Sequence, residues 1–172
     1  MLAEDLVRSG CDARRVVREL GWQEFEEFVE DVLRACDYRT IRHFVFKCSR
    51  GRREIDLLAW NHSMILAIDC KHWVKGTTGI TRLRMAVAAQ KERVEALANR
   101  PDLLRTHCID REGTRCMVPV LLILSYSGPV IVAGVPIVSV SNFEGFLQSV
   151  SPVGDMFMQI PIRSDSEQTT LA

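Results

Sequence analysis

The sequence predicts an α/β domain in which helices flank a central mixed sheet. Three observations predict it. Apolar residues recur at helical spacing from Trp22 to Cys36, and the period then changes to that of strands over three segments up to Trp73. A long helix and a continuous apolar run of strand length follow. The order αβββαβ, then β and α, describes a sheet with helices packed on it. A chain of 172 residues suits one domain, because two would each be small and hard to stabilise.

Residues 2–20 read as two short helices, LAEDLVR and ARRVVREL. Ser9-Gly10 stops the first, Asp12 can cap the second and Gly21 ends it. They form an N-terminal extension (1–20) to a domain over 21–162, and the polar tail 163–172 is expected to be flexible. In the helix from Trp22 to Cys36, Phe25, Phe28, Val29, Val32, Leu33 and Cys36 share one face. Glu24, Glu26, Glu27, Glu30 and Asp31 fill much of the remainder. TIRHFVFKC is then a strand anchored by Ile41, Phe44 and Phe46. SRGRRE is a basic turn around Gly51, and EIDLLAW is a second strand. Asn61-His62-Ser63 is a tight turn leading to a third strand, MILAIDCKHW.

The loop KGTTG precedes a helix over 82–100, with Thr81 as its cap and Pro101 after its end. Residues 102–117 carry the weakest pattern, and a hairpin is expected at Arg111-Glu112-Gly113. VPVLLILS reads as a buried strand. VPIVSVS is another, and Asn142 caps a last short helix, FEGFLQSV.

Composition narrows the function. The hydrophobic fraction of 47% and charged fraction of 26% are ordinary for a soluble domain. The formal net charge is zero, so a nucleic-acid partner must be held by a local patch. The six cysteines include no C-x-x-C pair, and no signal peptide is expected, which points to a reduced, cytoplasmic protein. Cys108 and Cys116 beside His107 read as hairpin ends rather than half a metal knuckle. No membrane span is expected: the apolar stretch Val118 to Val140 is broken by Ser125, Ser127, Gly128, Pro129, Gly134 and Pro136.

One constellation carries chemistry. Asp69 and Lys71 are two apart on a strand, so they project to the same face while Cys70 points away. A hairpin between the second and third strands brings Asp56 close to Asp69. Two adjacent carboxylates repel and raise a pKa unless a cation relieves them. Mg²⁺ does so with one or two carboxylates, waters and a substrate phosphate. The lysine can position or help deprotonate an attacking water and stabilise phosphorane charge.

The strand pair EID…DCK, with twelve residues between and a helix carrying FEEFVEDVL before it, resembles the PD-(D/E)xK nuclease superfamily. It looks most like Mrr-type restriction endonucleases and archaeal Holliday-junction resolvases, over roughly residues 21–150. The resemblance implies a restriction-endonuclease-like core and a catalytic set of Glu26, Asp56, Asp69, Lys71 and Gln90. It matches Glu26 to the family's helix acid, with Glu27 and Glu30 as alternative registers, and Gln90 to the Gln of the following helix. Mg²⁺, or Mn²⁺ in its place, is then expected on Asp56, Asp69, the Cys70 carbonyl and Glu26.

The implied activity is metal-dependent hydrolysis of DNA, in restriction or repair. The rivals are a structure-selective resolvase and a nuclease-like module that only binds. Lys47, Arg50, Arg52, Arg53, Trp73 and Lys75 are the expected DNA contacts. Arg82, Arg84, Lys91 and Arg93 are divided between DNA and solvent. His43, His62 and His107 show no ligand spacing and read as surface or core residues. A homodimer is expected because two strands need two cuts, and a separate targeting protein also fits.

Overall fold

A computed structural model describes residues 21–73, 79–107, 109, 116–128, 130–151 and 156–162. The expected N-terminal helices, the tail 163–172 and the hairpin at 111–113 lie outside the described residues.

Helix α1 (Trp22–Ala35) begins where the Gly21 N–H donates to Glu24 Oε2 at 2.7 Å. It ends where Asp37 adopts a left-handed φ of 62° and the Tyr38 N–H returns to the Leu33 carbonyl at 3.0 Å. Strands β1 (Arg39–Cys48) and β2 (Gly51–Trp60) pair antiparallel from Arg39↔Trp60 to Cys48↔Gly51. Only Ser49 and Arg50 therefore make the turn, and Gly51 supplies its left-handed φ of 100°. The basic segment expected as a turn is shorter than predicted, since Arg52 and Arg53 belong to β2.

Strand β3 (Ile65–Lys71) pairs antiparallel with β2 only from Leu57↔Ile68 to Trp60↔Ile65. It runs parallel to β4 (Cys116–Ile123), which in turn runs parallel to β6 (Val135–Ser139). Two short strands complete the sheet: β5 (Ile131–Val132) lies antiparallel to β6, and β7 (Ile160–Pro161) pairs with the start of β4. The order β1-β2-β3-β4-β6-β5 is the expected mixed sheet.

The crossover from β3 to β4 contains α2 (Ile80–Ala98) and α3 (Pro101–Thr106). Gly79, not Thr81, stands at the N-cap of α2, and no side chain caps it. Pro101 follows the end of α2, as expected, and opens α3 at the first helical position, where its missing N–H costs nothing. A 3₁₀ turn at 140–142 replaces the end of the last predicted strand. Helix α4 (Phe143–Ser149) follows Asn142, whose side chain makes no capping bond.

Helices cover both faces. On one, Phe25, Val29 and Leu33 of α1 pack on Leu57, Ile68, Val120 and Leu122. On the other, Val94 and Leu97 of α2 pack on Ile55, Leu58 and Ala67, while Leu83 and Val87 meet Leu121 and Ile137. Every residue of β3 from Ile65 to Cys70 is buried. Its near-continuous apolar run is the signature of a strand covered on both sides, and Asp69 is the one charge within it.

Candidate active site

The site forms where β2 parts from β3. The ladder stops at Leu57↔Ile68, and from there the Asp56 side chain takes over: its Oδ2 accepts the Cys70 N–H at 2.8 Å. Side-chain alternation slips at this point. Ile55 faces α2 whereas Leu57 faces α1. Opposite, Ile41 and Phe44 both face α2 although they are three apart. His43, between them, has a left-handed φ of 51°, and neither His43 nor Asp56 enters the β1–β2 pairing. The double slip turns Asp56 out of the ladder and toward β3.

Asp69 lies on the α2 side of β3, with 1% of its surface exposed. Lys71 Nζ is 2.8 Å from Asp69 Oδ2, as same-face geometry requires. The approach lies outside hydrogen-bond geometry, so Oδ2 is a buried carboxylate oxygen with no hydrogen bond. Oδ1 is held by Arg93 of α2. Gln90, fully buried, donates Nε2 to the Ala67 carbonyl at 2.8 Å and accepts from Arg93 Nε at 3.0 Å. Gln90 thus fastens α2 to β3 and aims Arg93 at Asp69. Burial pushes the Asp56 carboxyl above its usual range. The charge of Asp69 adds to the rise, and the Cys70 N–H, Lys71 and Arg93 oppose it. Cys70 points to the opposite, α1 side of the sheet, where burial drives its thiol well above its normal value.

Glu26 is the more deeply buried of two buried acids on α1, at 1% exposure against 8% for Glu30. Glu27 is exposed and pairs with Arg42, whereas Glu30, one turn after Glu26, is taken up by Arg34, Thr40 and Arg42. The charge of Glu26 reaches the Cys70 thiol on the α1 face of the sheet. His43 Nε2 is 3.3 Å from Glu26 Oε2, and His43 Nδ1 is 2.9 Å from Glu54 Oε1.

A divalent cation suits these groups. Asp56 and Asp69 are hard oxygen donors, one with a raised pKa and the other with an orphaned buried oxygen. Among the described residues no three His, Cys, Asp or Glu side chains converge on a common point. A cation here therefore takes its other positions from backbone, water or substrate.

The expected DNA contacts are only partly gathered. Lys47, Arg50 and Arg53 line a cleft of about 590 Å³ between the β1–β2 tip and the C-terminal half of α2, together with Glu92, Asn99 and Arg100. Glu92 holds Arg50 at 3.0 Å and Arg53 at 3.2 Å, and it is lowered below the usual carboxylate range by those bonds. Arg52 is exposed on β2. Trp73 is half-buried against the Leu83 and Val87 cluster, with the Arg82 guanidinium 4.4 Å from its ring centre. Lys75 lies outside the described residues.

Two residues that sequence reasoning missed touch the site. Arg93 was grouped with the solvent- or DNA-facing cations of its helix, but its spacing of three from Gln90 put both on one face. His43 shows no ligand spacing in the sequence and reads as a surface or core residue, although the odd spacing of Ile41 and Phe44 marks a break in the strand there.

Residues 17–98, just under half of the chain, match the Mrr catalytic-domain family, described as a restriction endonuclease. An uncharacterized protein of Archaeoglobus fulgidus is 35% identical over 74 residues, which are 43% of this chain. The chain spans 57% of that relative's length. A crystallised protein of unknown function overlaps 67% of this chain and 56% of its own, at 16% identity and a TM-score of 0.46. From residue 17 to 98 the chain is similar to the catalytic domain of Mrr-type restriction endonucleases, a likeness consistent with the PD-(D/E)xK nuclease superfamily.

Proposed function

We propose that the chain is a metal-dependent endodeoxyribonuclease that hydrolyses phosphodiester bonds of DNA. The observation that supports this most is the meeting of Asp56 and Asp69 at the opening between β2 and β3, with Lys71 against Asp69. The matched family is generally divalent-metal dependent. Asp56, Asp69 and the Cys70 carbonyl would hold Mg²⁺ or Mn²⁺, and Glu26, which does not converge with the two aspartates on a common point, would orient a ligand from α1. Such an ion supplies Lewis acidity and a more acidic bound water.

Lys71 orients the attacking water and stabilises the charge that builds on phosphorus. Gln90 acts at one remove, by holding β3 and Arg93 in place. The basic β1–β2 tip, with Lys47, Arg50, Arg52 and Arg53, contacts the DNA backbone, and Trp73 and Lys75 extend that surface. The domain runs over 21–162, acts as a homodimer in restriction or repair, and leaves room for a separate targeting protein.

The test is nicking of supercoiled plasmid with Mg²⁺ or Mn²⁺ by the wild type, Asp56→Ala and Lys71→Ala. Metal-dependent nicking lost in both variants is the expected result. Nicking that survives both substitutions would refute the site. One observation favours a binding module instead, namely the two cations already resident on Asp69. DNA binding by a wild type that never nicks would select that reading.

A further inference from the structure

We infer that Arg93 is a built-in competitor for the metal: its guanidinium occupies Asp69 Oδ1 and must leave, or yield that oxygen, when a divalent cation binds. The inference rests on the nuclease reading of the same site and concerns what controls its loading.

Two features support it. First, both oxygens of Asp69 face a cation, Oδ1 through Arg93 and Oδ2 through Lys71. A carboxylate neutralised twice attracts a further cation weakly, because the resident charges repel it. Second, the Arg93 contact is constructed rather than incidental. Gln90 has no exposed surface, bonds the β3 backbone through one end of its amide and takes Arg93 Nε with the other. The guanidinium is thereby aimed before any ligand arrives.

The arrangement gives Arg93 a second use. A guanidinium fork fits phosphate as well as carboxylate. A DNA phosphate entering the site offers Arg93 another partner and uncovers Asp69 Oδ1. Metal affinity is then low in the free protein. Arg93 is a positioning residue in this account, acting on the reaction through Asp69.

The experiment is titration of the metal-free, full-length protein with Mn²⁺ alone, without DNA, counting free Mn²⁺ by electron paramagnetic resonance. Arg93→Met keeps much of the stem and removes the charge. It is expected to bind Mn²⁺ about tenfold more tightly than the wild type, a change of about 1.4 kcal/mol. Asp69→Asn is expected to lose most of the binding. Arg93→Lys covers the case in which the Met variant does not fold. It keeps the charge but loses the fork and the Gln90 contact, so a smaller tightening is expected. Equal or weaker Mn²⁺ affinity in the folded Arg93 variant would overturn the inference while leaving the nuclease reading intact. Absence of Mn²⁺ binding by every protein would remove the metal site and the inference with it.

Discussion

Asp56 and Asp69 stand opposite each other across one strand gap, yet their surroundings are contrary. Asp69 is almost wholly buried and lies between two cations, Arg93 and Lys71. Asp56 is less buried and has one close bond, from the Cys70 N–H, and its carboxyl is pushed up by burial and by Asp69. Asp69 has a cation at each carboxylate oxygen, whereas Asp56 has none bonded to it among the described residues and its carboxyl is raised first by burial and then by the charge of Asp69.

Substitutions should split the pair. The largest effect is on chemistry. Asp69→Asn and Lys71→Met are each expected to reduce plasmid nicking by about 10²–10³-fold or more, the scale of losing a transition-state charge partner.

Next comes stability, measured by urea unfolding in chelator, where the two acids should differ in sign. Asp69→Asn leaves Arg93 and Lys71 facing a neutral amide, and both cations are less than a quarter exposed. A cost of about 3 kcal/mol is expected. Asp56→Asn should stabilise instead. A carboxyl whose folded pKa is raised binds its proton more tightly in the folded state, so its contribution is fully present below the ordinary value of 3.8 and is lost as pH rises through the folded pKa. At neutral pH the wild type carries that loss and the Asn variant does not. Below pH 3.8 the advantage should vanish. A destabilised Asp56→Asn at pH 7 would contradict the contrast.

The smallest effect lies at the β1–β2 tip. Removing Arg50 or Arg53 should weaken DNA binding without regard to sequence and lower the salt-dependence slope by about 1 each. Glu92→Gln should strengthen binding, because it releases both arginines.

Much of this was legible in the chain. The apolar face of α1, the doubly buried β3 and β4 and the same-face pair Asp69 and Lys71 all follow from spacing, because periodicity reports burial directly. Less legible were features set by tertiary contact. Helix α3 is a single turn and a half hidden in a weak pattern, and β5 and β7 are two residues each. Thr81 looked like a cap because hydroxyls often are, but α2 starts at Ile80 with Gly79 before it. At the site, spacing placed the acids and put Arg93 on the face of Gln90, but not that face against β3. Which face of α2 meets β3 depends on how the helix crosses the sheet, and Gln90 alone hinted at it.

The backbone at residue 43 restricts what evolution can write there. A φ of 51° admits Gly and, with some ease, Asn, Asp and His, while β-branched or bulky side chains are disfavoured. Chemistry then narrows this short alphabet. Asp would set a third acid against Glu26 and Glu54, and Gly would offer them nothing. Asn reaches only part of the way with its short amide. Histidine presents one ring nitrogen to each glutamate, at 3.3 and 2.9 Å. Conformation and charge are separate filters, and at position 43 they pass nearly the same letter.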